Sequence, residues 1–260
     1  MMKGITMDTS TTPIIRKYGW IKDAPDPRDH VLKLPPNRNM VGSDLRPLMP
    51  PVYDQGQTSS CTANAIGAAI EYDRKCQSLP DFVPSRLFIY YNERTMEGTV
   101  DQDAGAQIRD GIKSVATLGA PDENLWPFVP EQITVKPGDA VYAAAQKDLV
   151  MSYALVPQKL DHMLSVLTHR VPIVFGTMLF PEFEGQEVAQ TGIVPMPDMN
   201  SEPIGGHAIL IVGADVDNQQ FIVRNSWGPY WGDQGYCYFP FDYILDPQLT
   251  SDLWCIWSVH

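Results

Sequence analysis

The chain reads as an α+β protein, with helices in its first half and strands in its second. Three observations predict this. Of its 260 residues, 44% are apolar and 19% charged, enough to bury a sizeable core and too apolar for disorder. From residue 51 to about 150 apolar residues recur at helical spacing, and from about 171 they gather in short β-branched runs. Nineteen cationic against 31 acidic side chains leave a net charge of −12, with no basic cluster, which excludes a nucleic-acid binder. No apolar run approaches about 18 residues, so no membrane helix is expected. The first 20 residues lack a signal-peptide pattern.

Residues 1–50 form an arm. Asp23-Ala24-Pro25-Asp26-Pro27-Arg28-Asp29, Pro35-Pro36 and Pro50-Pro51 break any long helix and predict an extended crossing segment, either a strap on the body or a removable pro-segment. Next comes a helical part, 51–150. A first helix over 61–75 puts Ala65, Ile66, Ala69 and Ile70 on one face, with Ser59 or Ser60 as N-cap. A second starts near Pro84-Ser85, a third runs from about 106 to 118 and stops at Gly119, and a fourth spans 139 to about 148. The β-rich part, 151–260, holds a helix over 158–169. Its strands fall at 171–179, 207–212, 220–224, 236–239 and 253–259, a short antiparallel set suited to a sheet or half-barrel.

Cys61, Cys76, Cys237 and Cys255 make no C-x-x-C pair, which argues against a disulfide scaffold or a zinc site, and no cofactor or metal is expected. No N-x-[ST] acceptor occurs. Together these suggest a cytoplasmic or otherwise reducing compartment, although export by a signal-independent route leaves no mark in a sequence.

Four residues stand out chemically. Cys61 opens the first helix, where unpaired N–H groups favour a thiolate, the attacking form of the residue. By itself it also fits a small buried apolar side chain. His207 begins a strand after Gly205-Gly206, and the glycines let another chain approach. Asn225, in Asn225-Ser226-Trp227-Gly228, is an amide able to orient an imidazole under Trp227 and Trp231. Gln55, six residues before Cys61, has a carboxamide N–H suited to a developing oxyanion. Each also has an ordinary structural reading: a half-buried histidine, a turn asparagine, a polar residue of a glycine turn.

Taken together, the stretches DQGQTSSCTANA (54–65), GGHAILIVGAD (205–215) and RNSWGPYWGDQGYCYF (224–239) resemble the papain-like cysteine peptidases, in the style of a microbial branch. The resemblance implies a two-lobe fold with a cleft between the helical and β-rich lobes. It implies hydrolysis of peptide bonds in protein or peptide substrates through a thioester. Cys61 would be the nucleophile, His207 the base and then acid, Asn225 the orienter, and Gln55 half of the oxyanion hole. Gly105 resembles the glycine strip that pairs with substrate. Gly205, Gly206, Ala208 and Trp227 resemble cleft walls, and the small residues beside His207 suggest a roomy, apolar pocket.

Thr58, Ser59 and Thr62 depart from the family's pattern around the nucleophile. Thr62 is expected to thin a cleft wall, and Gln102 stands where a disulfide partner would be. Residues 1–50 are expected either to leave the enzyme active or to restrain it from within the cleft. Two alternatives remain: a retired or self-blocked fold acting as a binding module, and a peptide ligase. No nucleic-acid or membrane partner is expected.

Overall fold

A computed structural model describes residues 16–259. The described arm carries two short strands, β1 (Trp20–Ile21) and β2 (Ser43–Asp44), and a turn of 3-10 helix at Arg46–Leu48, in keeping with its proline spacing. Four helices of the first half follow: α1 (Cys61–Cys76), α2 (Arg86–Glu97), α3 (Ile108–Leu118) and α4 (Asp139–Ala145). Ser85 caps α2 by accepting the Phe88 N–H at 3.2 Å, and Gly119 ends α3 at φ +79°. α3 starts two residues later than its spacing suggests. Ala106–Gln107 instead form β3, parallel to β1, because the Ala106 N–H donates to Gly19 O at 2.7 Å.

The second half contributes β4 (Val150–Leu155), α5 (Leu160–Thr168), β5 (Ile173–Leu179), α6 (Gln186–Thr191), β6 (Gly205–Asp215), β7 (Gln220–Arg224), β8 (Tyr236–Pro240), α7 (Phe241–Leu245) and β9 (Thr250–Val259). They build an antiparallel sheet in the order β4-β9-β5-β6-β7-β8, with β2 added beside β6. The expected strands are present; β6 is longer than the reading at 207–212, and β4 was not anticipated. The hairpin β6–β7 closes through the predicted turn at 215–219, with Asp215 opposite Gln220.

The core joins both halves. α1 is buried along most of its length and lies against β6 and β9. Its small face, Ala63, Ala65, Ala68 and Ala69, lets its axis approach the sheet closely, while Ile66 and Ile70 fill the space beyond. This packing sets the first turn of α1 against the start of β6. All four cysteines are free; only Cys76 is exposed. Among the described residues no helix is long and apolar enough to cross a membrane.

Candidate active site

Cys61 opens α1 and is fully buried. The expectation of a serine cap needs correction: Ser60 occupies the N-cap position, but its side chain makes no capping bond. Its hydroxyl pairs with Thr58 at 2.7 Å and accepts from Asn64 Nδ2 at 3.0 Å, because Asn64 on the same turn reaches it first. Of that turn, the Thr62 N–H is left to the sulfur. Cys61 Sγ accepts the Ala208 N–H at 3.4 Å, and the amides of Gly19 and Thr62 also aim at it.

His207 lies on β6 beside that amide. The ring's Nε2 donates to Asn225 Oδ1 at 2.9 Å, while Nδ1, also buried, makes no hydrogen bond. Asn225 follows β7, and its position is held by its own N–H on Gly235 O at 3.0 Å. The Trp227 ring sits 5.4 Å from the imidazole, and Trp231 packs edge-on to Trp227 at 5.1 Å, so the His–Asn bond is shielded from water.

Gln55 is wholly buried. Its Oε1 accepts from Ser226 Oγ at 2.6 Å, and its Nε2 donates to Thr58 O at 2.8 Å and to Lys17 O at 3.4 Å. The second of those carbonyls belongs to the arm. A foreign carbonyl therefore already rests against the amide expected to receive one.

The arm lies against four of the expected cleft positions, Gly105, Gly205, Gly206 and Trp227. A Cβ on Gly105 would strike Gly19, one on Gly205 would lie 2.7 Å from Tyr18, and one on Gly206 would lie 2.6 Å from Trp20 O. Gly105 takes φ +77°, which suits a residue without a side chain. Arg16 lies 4.9 Å over the Trp227 ring, and Tyr18 stands edge-on to His207 at 6.1 Å.

Burial under this cover sets the charges. It pushes the Cys61 thiol up to about 11, against the pull of the three amides, and holds His207 down to about 4 despite Asn225. In the covered cleft the pair is therefore a neutral thiol and a neutral imidazole, rather than an ion pair.

Thr62 does not thin a cleft wall. It is fully buried and donates its hydroxyl to Glu93 Oε1 at 2.5 Å. Burial raises the Glu93 carboxyl well above its usual range, against the Thr62 hydroxyl that bonds it. Near the glycine strip, where Gln102 replaces a disulfide partner, Arg94 ties the loop instead, donating to Val100 O at 3.2 Å and Gln102 O at 2.6 Å and reaching Ile133 O. Sequence reasoning missed both Glu93 and Arg94, since each looks like an ordinary charge of a solvated helix face.

A family model described as papain family cysteine protease matches residues 97–243. An uncharacterised peptidase C1-like protein of Acanthamoeba polyphaga mimivirus is 40% identical over 97% of this chain and 90% of its own. The chain belongs to the papain family of cysteine proteases. Among solved structures, xylellain, a cysteine protease from Xylella fastidiosa, superposes with a TM-score of 0.87 at 39% identity, over 96% of this chain and all of that one. The bromelain protease from Ananas comosus, solved with the E64 inhibitor, shares the fold at a TM-score of 0.60 and 19% identity, over 76% of this chain and 88% of its own. The chain is thus a thiol protease with the papain-like α+β fold, and its substrates are proteins or peptides.

Proposed function

We propose that this papain-family chain is an endopeptidase in which Cys61 attacks the scissile carbonyl and His207 takes and returns the proton. In this reading Asn225 fixes the imidazole through its 2.9 Å bond, and Gln55 Nε2 with the Cys61 N–H receives the oxyanion. The tetrahedral oxyanion collapses to the thioester as its C–N bond breaks, the amine leaving with the proton from His207, and water then attacks the thioester to release the acid and the free thiol. Gly105, Gly205, Gly206, Ala208 and Trp227 line the substrate's path. The arm of residues 1–50 is a part in its own right, beside a helical part (51–150) and a β-rich part (151–260), and it restrains the enzyme from within the cleft. No metal, nucleic acid or membrane enters the scheme.

One observation carries the reading: a buried sulfur 3.4 Å from the amide of Ala208, next to an imidazole already oriented by Asn225. Cys61→Ala is expected to abolish both hydrolysis of a fluorogenic peptide panel and labelling by an epoxide thiol inhibitor. A mutant that still cleaves would remove Cys61 from the mechanism. The covered cleft favours a second reading, a self-blocked fold retained as a binding module. A small thiol probe separates the two, because a permanently closed cleft leaves Cys61 unlabelled at any time of exposure.

A further inference from the structure

Trp20 is a ligand the chain supplies to itself. Its indole lies flat over two glycines: a Cβ on Gly176 would overlap the ring, and one on Gly206 would sit 2.8 Å from Cε3. At the rim of this slot the indole N–H donates to Asp252 Oδ2 at 3.0 Å.

Asp252 is placed there at a cost. Its φ of +55° is a left-handed value that glycine favours, inside strand β9. The register against β5 shifts at the same point, between Val174 paired with Trp254 and Gly176 paired with Ser251, so two residues of β9 face one of β5. A bulge of this kind re-aims a side chain, and here it directs a carboxylate to the end of a glycine-floored slot next to His207. Other groups facing Asp252 are the Asp23 N–H at 2.8 Å, the Asp23 carboxyl, Ser251 and Lys22. Burial raises the Asp252 carboxyl, and the Asp23 and Trp20 N–H groups oppose that rise by bonding its charged form. Beside the indole a cavity of about 250 Å³ opens, lined by Met178, Gln248, Leu249 and Thr250.

We propose that Asp252 is a specificity-determining residue, and that the slot now filled by Trp20 selects substrate peptides carrying a tryptophan there, recognised by its indole N–H. This rests on the reading that residues 16–21 lie where substrate binds. It revises the roomy apolar pocket expected from Gly205 and Ala208, because the far wall carries an acceptor.

The test uses the full chain with Trp20→Ala to empty the slot. Blocked pentapeptides of glycine and alanine, carrying tryptophan or phenylalanine at each position in turn, are measured for protection of Cys61 from alkylation and, separately, for turnover. A hydrogen bond to a carboxylate predicts about tenfold better protection by tryptophan than by phenylalanine at one position. Adding Asp252→Gly, which tolerates the left-handed backbone, should abolish that difference, whereas Asp252→Asn, which keeps an acceptor, should preserve it. Equal protection by the two aromatics in Trp20→Ala, or a preference that survives Asp252→Gly, overturns the proposal. Protection with the expected preference but no turnover would uphold the slot and instead count against the peptidase reading.

Discussion

Residues 16–23 and residues 31–48 both lie along the body, yet different forces hold them. The later segment is tied largely by its backbone: Leu32 donates to Leu155 O, Leu45 donates to Val212 O, and β2 extends the sheet beside β6, with Arg46 adding a bond to Tyr238. The earlier segment shares two residues of ladder with β3 and is otherwise held by side chains. Lys17 pairs with Asp103 at 2.8 Å, Arg16 with Asp54 at 3.7 Å, Tyr18 with Glu184, and Trp20 with Asp252. Just beyond, Asp23 accepts from Trp254 Nε1 at 2.9 Å and from the Arg109 N–H at 3.2 Å. A ladder in a sheet is lost only with the sheet, whereas an indole and a set of charges come away separately. One arm thus joins a segment held in the ladder of the sheet to a segment held mainly by side chains.

The sharpest test of that contrast pairs two truncations. Trp20→Ala removes the buried indole that seats the earlier segment on the body, so its effect is expected on docking of that segment and not on the sheet. It should speed alkylation of Cys61 by roughly a hundredfold, with little change in melting temperature. Leu45→Ala, which empties a buried strap position, should lower the melting temperature and leave alkylation unchanged. Similar outcomes for both would merge the two segments into one.

A smaller effect follows from pH. Burial, and next the Asp252 carboxyl, raise Asp23 to about 7, against the pull of Trp254 and Arg109. The docked arm therefore keeps a proton that a freed arm gives up near pH 4, so this contribution is fully present below about pH 4 and is lost as pH rises to about 7. Asp103 acts in the opposite sense. Burial pushes it up, but Lys17, Tyr90 and the Ser59 N–H outweigh that and hold it low, so its hold on the arm fails only in stronger acid. The ratio of Cys61 alkylation in the wild type to that in Trp20→Ala should climb between pH 4 and 7. Asp23→Asn should flatten that climb, and a climb that persists would acquit Asp23.

The smallest expected change is at Lys17, whose side chain is half exposed. An ion pair of that kind contributes about 1 kcal/mol or less. Lys17→Ala should raise alkylation only a few-fold, and the difference should shrink at high salt.

Much of this frame was legible beforehand. The face of α1, the start of α2 near Pro84-Ser85, the stop at Gly119 and the β6–β7 turn follow from local spacing and turn chemistry, and those signals survive folding. Gln55, Cys61, His207 and Asn225 could be singled out because their neighbours carry a motif, and the fold brings them near one another: Cys61 meets the amide after His207, His207 bonds Asn225, and Gln55 bonds Ser226. Other features depend on distant partners. β4 follows a turn at 146–148 that carries no glycine or proline, and it buries only part of its length, so no alternation betrayed it. Ala106 and Gln107 carry helical preferences that the arm overrides by claiming the Ala106 amide. The left-handed Asp252 exists because β5 and β9 slip in register, which no window of sequence displays. Gly105, Gly205 and Gly206 announced room for a visiting chain; nothing in residues 16–21 announced that the visitor would be their own.

The carbonyl of Lys17 resting on Gln55 has a consequence for anyone seeking to inhibit this protein. A tethered occupant meets its site at an effective concentration in the millimolar range, however dilute the sample. Under the restraint proposed above, an outside molecule binds only the fraction of chains momentarily unoccupied, so its measured affinity is weakened by that fraction. Two compounds of equal intrinsic strength will keep their order, but both will look poorer against the intact chain than against Trp20→Ala, and by the same factor.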